Sequence, residues 1–270
     1  MDAKSWLEQA TTKLQSADIG TARLDALVLL EDCSGKDRSW LLAHPEFELG
    51  AEQVAKLEKL LGRRVQHEPL AYLRGRTEFY GREFVISAAV LEPRPESETM
   101  IDLLKQLPKL PAKPRIADVG TGSGALGITA ALELPEATVE LLEIDEAALQ
   151  VAKHNVDLFT LPISAAQSDL LASSSQNYDV LLCNLPYVPD AFQINTAALH
   201  EPPLAIFGGP DGLDLYRKLF EQIAQLSKQP LYILTEALPT QHNALQQIAE
   251  VHNYALSQTD DFIQVFAHMA

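Results

Sequence analysis

The sequence predicts an α/β fold in which a mainly parallel sheet follows a small N-terminal helical bundle and a β-hairpin. Apolar residues recur at helical spacing over residues 5–61, whereas residues 76–91 alternate apolar with polar positions. From residue 116 onward, short apolar stretches alternate with helical ones. Strands that alternate with helices indicate parallel strands connected by crossovers, which is a Rossmann-like arrangement.

The pattern divides the chain into three predicted parts. Residues 1–75 are a helical domain, in which helical spacing is clearest for Ala22, Leu24, Ala26, Leu27, Leu29 and Leu30. Residues 76–95 are a hairpin linker, with Gly81 at the turn between two β-rich segments. Residues 96–270 are the α/β domain, with strands predicted at 116–119, 139–144, 180–183 and 231–235.

The negative charge of the chain is concentrated in the α/β domain. Residues 1–95 carry a net charge of -2 and residues 96–270 carry -14, of a total of -16. An acidic surface repels phosphate backbones, so we expect no direct binding to nucleic acid. Within residues 56–82 basic side chains prevail, which fits either a solvated helix face or a docking surface for an acidic partner. These basic residues are Lys56, Lys59, Arg63, Arg64, Arg74, Arg76 and Arg82.

Composition also bears on location and on metals. No segment approaches the roughly 20 apolar residues of a membrane helix, and the first residues lack the basic-then-apolar pattern of a signal peptide. We therefore expect a cytoplasmic protein that does not bind membranes. Cys33 and Cys183 lack the paired spacing of metal or disulfide frameworks, so we expect two buried thiols and no metal site.

A glycine-rich loop follows the strand predicted at residues 116–119 and opens a helix. It consists of Gly120, Thr121, Gly122, Ser123 and Gly124. Its glycines permit a tight turn and let a ligand approach the backbone closely. Dinucleotide-binding proteins have the same pattern, so the loop alone does not identify the ligand.

Acidic residues end the next two strands. Glu143 is predicted to accept hydrogen bonds from both ribose hydroxyls of a nucleoside, whereas Asp145 is expected to cap the following helix. Asp169 is predicted to accept a hydrogen bond from an adenine amino group, and Leu170 to pack on the base. Each residue alone also fits a turn, a strand end or a cap. Their order at successive strand ends predicts an adenosine site.

The tetrapeptide Asn184-Leu185-Pro186-Tyr187 follows the strand predicted at residues 180–183, and no hydride-transfer chemistry needs it. An amide nitrogen is a poor nucleophile because its lone pair is delocalised, so geometry must promote its reaction. If the Asn184 side-chain oxygen and the Leu185 carbonyl each accept one N–H, the lone pair can face a methyl donor. Pro186 stiffens the turn, and Tyr187 can stack on a planar substrate. The sequence thus predicts methyl transfer from S-adenosylmethionine to an amide or amine nitrogen, rather than a plain Asn-X-Pro turn.

Through these residues and further motifs, the chain resembles the glutamine-N5 methyltransferase family that modifies peptide chain release factors. The resemblance covers nearly the full length. Besides the glycine loop and the tetrapeptide, it rests on residues 37–45, 68–75 with 78–81, 93–98, and 201–205 with 209–213. It implies a seven-stranded methyltransferase domain that uses S-adenosylmethionine.

The resemblance also implies roles for the individual parts. The helical domain and hairpin would help to dock a release factor, whose Gly-Gly-Gln loop enters the site. The residues implied to contact the cofactor are Gly120, Thr121, Gly122, Ser123, Gly124, Glu143, Leu170 and Asn184; those implied to contact the glutamine are Asn184, Leu185, Pro186 and Tyr187. We also expect Asp169, from its strand-end position, to bind the cofactor and Arg94 to bind the substrate.

One position departs from the usual Asn-Pro-Pro-Tyr of that family, because Leu185 replaces the first proline. We expect its carbonyl to keep the same role, and a proline at this position to cost no hydrogen bond. Three alternatives stay open: glutamine methylation of a ribosomal protein, N6-methylation of adenine in nucleic acid, and a non-catalytic adenosine-binding module.

Overall fold

A computed structural model describes residues 1–174 and 176–269, which group into two compact units. The first unit comprises Met1–Gly75 together with the short segment Asn195–His200. The second comprises Arg76–Ile194 and Glu201–Ala270, so the hairpin falls within it. In the described part of the chain, no helix is long and apolar enough to span a membrane.

The first unit is a helical bundle with a core of its own. Its helices are α1 (Ala3–Ser16), α2 (Ala22–Ser34), α3 (Arg38–Ala43), α4 (Ala51–Val65) and α5 (Leu70–Arg74). Asp2 begins α1 by accepting a hydrogen bond from the Ser5 backbone N–H, which satisfies one of the free donors of the first turn. Trp6, Leu29 and Leu57 are fully buried where α1, α2 and α4 meet.

The basic stretch consists largely of internally compensated charges. In the first unit, Arg64 Nε lies 2.8 Å from a carboxylate oxygen of Asp25, which is buried, whereas Arg64 is partly buried. Arg74 pairs with Asp32 at 2.7 Å, and Arg63 pairs with Glu68. Within the second unit, the further pairs are Arg76 with Glu83 and Arg82 with Glu133. These contacts favour a structural role over a docking surface, because five of the seven basic side chains are already paired with acids of their own unit.

The second unit opens with a hairpin that packs on its own sheet domain. Strands β1 (Arg76–Phe79) and β2 (Arg82–Val85) are antiparallel, and Phe79 and Phe84 are buried in the core of the unit. The buried Asn155 side chain accepts a hydrogen bond from the Val85 N–H and donates to the carbonyls of Val85 and Ser123. One amide thus ties the hairpin to the glycine loop.

A seven-stranded sheet forms the centre of the second unit, in the order β5-β4-β3-β6-β7-β9-β8. Its strands are β3 (Arg115–Val119), β4 (Thr138–Glu143), β5 (Ser164–Gln167), β6 (Val180–Cys183), β7 (Tyr232–Glu236), β8 (Tyr254–Asp260) and β9 (Ile263–His268). All pair in parallel except β9, which is antiparallel to both β7 and β8. The predicted α/β fold with a mainly parallel, seven-stranded sheet is confirmed.

Helices cover both faces of the sheet and bury two apolar clusters. They are α6 (Glu98–Gln106), α7 (Ala125–Glu133), α8 (Glu146–Phe159), α9 (Asp214–Ala224) and α10 (His242–Val251). Ile116 belongs to one cluster and Val119 to the other, as expected where strand side chains alternate between faces. Cys183 is fully buried as predicted, but the prediction of a buried Cys33 is wrong. That thiol is half-buried, because the end of α2 lies at the edge of the first unit's core.

Candidate active site

The strand order places a crevice beside β3. The chain proceeds from β3 to β4 and β5 on one side and then returns to β6 on the other, and ligands bind in open α/β sheets at such reversals. A cavity of about 350 Å³ lies there. The predicted site residues that line it are Arg94, Gly120, Thr121, Gly122, Ser123, Glu143, Asp169, Leu170, Asn184, Leu185 and Pro186. Gly124 and Tyr187 are not among its lining residues.

The glycine loop adopts backbone conformations that favour glycine. Gly122 has φ +56°, and a Cβ built on it would meet open space, so its backbone is accessible to a ligand. Gly124 has φ +84°, but a Cβ there would lie 3.0 Å from Ile128 and 3.3 Å from Leu141. Gly124 therefore allows α7 to pack closely on the sheet, which explains its absence from the cavity wall.

Asp118 holds this loop from behind and was assigned no role in the sequence analysis. Its Oδ2 accepts hydrogen bonds from the Thr121 hydroxyl at 2.5 Å and from the Gly127 N–H at 2.8 Å. Complete burial raises the pKa of the Asp118 carboxyl to about 6, although both hydrogen bonds lower it. An acidic residue at the end of a buried strand, just before a glycine turn, is the signal that could have identified it.

Glu143 connects the end of β4 to the glycine loop. Its Oε2 accepts a hydrogen bond from the Gly122 N–H at 2.8 Å, and its Oε1 accepts from the N–H groups of Ile144 and Asp145 at 2.9 and 3.0 Å. Each carboxylate oxygen has two lone pairs, so Oε1 is fully used and one acceptor position remains, on Oε2. Asp145 caps α8 as expected, by accepting a hydrogen bond from the Ala148 N–H.

Asp169 and Leu170 follow β5 and reach the same cavity. The Asp169 carboxylate pairs with Lys218 of α9, a partner that the sequence analysis did not identify. Leu170 is buried and has φ +54°, an uncommon conformation for a bulky residue. Such strain is typical of functional sites, and here it places an apolar side chain at the cavity wall.

Two buried residues outside the tetrapeptide contact its first and last side chains. Asn184 Nδ2 lies 2.9 Å from Ser97 Oγ, and Ser97 Oγ lies 2.6 Å from Glu236 Oε2. The Tyr187 hydroxyl donates to the other oxygen, Glu236 Oε1, at 3.1 Å. Burial raises the pKa of the Glu236 carboxyl, whereas the hydrogen bonds from Ser97 and Tyr187 lower it.

The middle of the tetrapeptide is fixed by packing and by a backbone contact. Leu185 is 2% exposed, and its side chain packs closely on Gly120. A Cβ added to Gly120 would lie 3.0 Å from Leu185 Cδ2. Just before it, the Cys183 carbonyl accepts a hydrogen bond from the buried Tyr216 hydroxyl at 3.0 Å. The expectation that a proline at position 185 costs no hydrogen bond stays a prediction.

Arg94 lines the cavity but is held by a buried acid. Its guanidinium lies 2.7 and 2.6 Å from the two carboxylate oxygens of Glu201, which is buried. Glu201 begins the segment whose Pro202, Leu204 and Ala205 form part of the cavity wall. The pair therefore connects two walls of the site, and substrate binding by Arg94 stays a prediction.

Comparisons with known proteins agree with this architecture. Residues 5–75 match the PrmC N-terminal domain family, and residues 97–201 match the methyltransferase small domain family. A methyltransferase structure from Pyrococcus furiosus is similar with a TM-score of 0.54 and 15% identity, covering 82% of this chain and all of that one, which supports the fold.

Two curated relatives are similar over most of their length. The release factor glutamine methyltransferase of Koribacter versatilis is 35% identical over 242 residues, which cover 87% of this chain and 86% of that protein. The protein of the same name from Deinococcus radiodurans is 33% identical, covering 83% and 81%. The predicted family is thus confirmed, and the chain belongs to the release factor glutamine methyltransferases.

Proposed function

We propose that the protein transfers the methyl group of S-adenosylmethionine to the side-chain nitrogen of the glutamine in the Gly-Gly-Gln loop of a peptide chain release factor. The observation that carries this proposal is the placement of Asn184 and Leu185 in the same cavity as Gly122 and Glu143. The relatives from K. versatilis and D. radiodurans are named for this activity.

The cavity residues fit the chemistry of S-adenosylmethionine. Gly122 offers open backbone, Glu143 offers an acceptor for a ribose hydroxyl, and Leu170 with Ile144 offers apolar surface for a base. Asp169 lines the cavity, and its carboxylate can accept a hydrogen bond from the adenine amino group while it is also paired with Lys218. When bound, the cofactor supplies a methyl group activated by a sulfonium.

The tetrapeptide then acts by positioning. The Asn184 side-chain oxygen and the Leu185 carbonyl each accept one N–H of the glutamine amide, which directs the nitrogen lone pair toward the methyl group. Transfer to the nitrogen so held would form the carbon–nitrogen bond, break the carbon–sulfur bond to leave S-adenosylhomocysteine, and release one N–H proton to solvent water. A neutral asparagine suits this reaction because it holds the amide without binding the sulfonium as a counterion.

Charge argues against a nucleic-acid substrate for this chain. Residues 96–270, which contain the cavity, carry a net charge of -14, and such a surface repels phosphate. An RNA-bound methyltransferase catalytic domain has 15% sequence identity to this chain, so the similarity between the two concerns the fold alone. A release factor acts where translation occurs, so the reaction belongs in the cytoplasm.

The proposal is tested by incubating the protein with isotopically labelled S-adenosylmethionine and, separately, with a release factor, a ribosomal protein and RNA. We expect label on a release factor and on no RNA, and we expect none on a release factor whose Gly-Gly-Gln glutamine is changed to glutamate. Label on a ribosomal protein instead of the release factor would mean that the reaction is the same but the substrate is a ribosomal protein. Label on adenine, or on none of the acceptors, would contradict the proposed function.

A further inference from the structure

We infer that Ser97 and Glu236 are positioning residues that fix the direction of the Asn184 amide, so that its oxygen rather than its nitrogen faces the glutamine. The inference rests on the proposed function, because it assigns a purpose to an orientation that glutamine binding requires. Neither residue belongs to the tetrapeptide, and they lie 139 positions apart in the chain.

The direction of each hydrogen bond follows from the number of protons available. The Glu236 carboxyl accepts at both oxygens, from the Tyr187 hydroxyl at Oε1 and from the Ser97 hydroxyl at Oε2, so the single Ser97 hydroxyl proton points to Glu236 across 2.6 Å. Ser97 Oγ then has only lone pairs to offer to Asn184. The group of Asn184 that lies 2.9 Å away must therefore be the Nδ2 amine, which donates.

A reversed Asn184 amide would place its carbonyl oxygen against the Ser97 lone pairs and beside the Glu236 carboxylate. Both Ser97 and Glu236 are 2% exposed, so water cannot relieve that repulsion. The reversed amide would also present N–H donors to the N–H donors of the substrate. The relay from Glu236 through Ser97 thus excludes the orientation that cannot bind glutamine.

The same carboxylate also reaches the end of the tetrapeptide. The Tyr187 hydroxyl donates to Glu236 Oε1 at 3.1 Å, so one buried acid holds both Asn184 and Tyr187. A buried carboxylate is costly unless it is well satisfied, and hydrogen bonds to Ser97 and Tyr187 satisfy both of its oxygens. A contribution to packing alone would not require this set of polar partners.

The test compares variants of Ser97 on the glutamine acceptor that the wild-type protein methylates. Ser97→Ala removes the lone pair that selects the amide direction, and we expect single-turnover rates about 10- to 100-fold lower. Ser97→Thr keeps the hydroxyl and should restore the rate to within about threefold. Affinity for S-adenosylmethionine, measured by calorimetry, should be unchanged in both variants.

Thr235→Val is the matched control, because Thr235 is a fully buried hydroxyl beside Glu236 that donates to a carbonyl outside this relay. Its rate should equal that of the wild-type protein. If Ser97→Ala unfolds, Ser97→Cys retains the volume with a weaker donor and acceptor, and should show the same loss. Normal rates in a folded Ser97→Ala or Ser97→Cys variant, or an equal loss in Thr235→Val, would overturn the inference. An absence of glutamine methylation by the wild-type protein would instead contradict the proposed function.

Discussion

Replacement of Glu143 by alanine should separate cofactor binding from the stability of the glycine loop. The carboxylate accepts hydrogen bonds from three backbone N–H groups, those of Gly122, Ile144 and Asp145, at 2.8 to 3.0 Å. It lies in the cavity wall and is 7% exposed, so the one acceptor position left, on Oε2, is available to a ligand. The variant therefore loses the hydrogen bonds to the three backbone N–H groups and the hydrogen bond to the ligand.

The expected loss of affinity follows from the strength of such bonds. A hydrogen bond to a charged group contributes about 1.5–3 kcal/mol, and each 1.4 kcal/mol changes a dissociation constant about tenfold. One ribose bond to Glu143 therefore predicts a Kd for S-adenosylmethionine that is about 10- to 150-fold higher. The unpaired Gly122 N–H should lower the free energy of unfolding by about 1–3 kcal/mol in the absence of cofactor.

Calorimetric titration gives the affinity, and urea unfolding without cofactor gives the stability. Glu146→Ala is a suitable control, because this nearby acidic side chain bonds to Gln150 on the exposed face of α8. Its Kd should stay within about twofold of the wild-type value, as expected for a surface substitution. An unchanged Kd in a folded Glu143→Ala variant would refute the ribose assignment and make Asp145 the next candidate.

Three further substitutions probe buried residues and their partners. The raised pKa of Asp118, about 6, means that its contribution to stability is present below about pH 4 and is lost as the pH rises through 6. The difference in unfolding free energy between wild type and Asp118→Asn should change by about 3 kcal/mol across that range, and a constant difference would contradict the shift. Leu185→Pro should give a turnover equal to or higher than that of the wild-type protein, because proline fixes φ at roughly -65° and should preorganise the carbonyl at position 185; a large loss of turnover would show that Leu185 has a conformation that proline cannot adopt. Arg64→Ala should cost about 3–5 kcal/mol by leaving Asp25 buried without its partner, and a loss below about 1 kcal/mol in urea unfolding would show the pair to be dispensable.

The predictable part of the site consists of residues at or just beyond the ends of strands. Glu143 ends β4, Asn184 directly follows the apolar β6, and Asp169 lies two residues beyond β5; parallel strands bring such positions to one edge of the sheet. Local periodicity is sufficient to locate these residues. For the same reason, the glycine loop, Glu143, Asp169 and the tetrapeptide could be predicted to form one site.

The remaining features depend on contacts between distant segments. Ser97 meets Glu236 across 139 positions, and Lys218 reaches Asp169 from α9, so no local pattern contains either pair. The strands at the C-terminal end, β8 and β9, were not predicted, and most of β8 lacks a buried face that would produce alternation. The hydrogen bonds of the Tyr216 hydroxyl to the carbonyls of Cys183 and Glu236 are likewise a property of tertiary packing.

The central claim is that Asn184 promotes methyl transfer by positioning the glutamine amide, and the single-turnover rate of Asn184→Ala tests it most directly. With cofactor and acceptor both saturating, the account predicts a rate at least about 100-fold below wild type, because misplacement of reacting groups has effects of that size. The calorimetric Kd for S-adenosylmethionine should rise by less than about tenfold, since the contacts of Glu143 and the glycine loop remain. A folded variant that retains more than half of the wild-type rate would contradict the account.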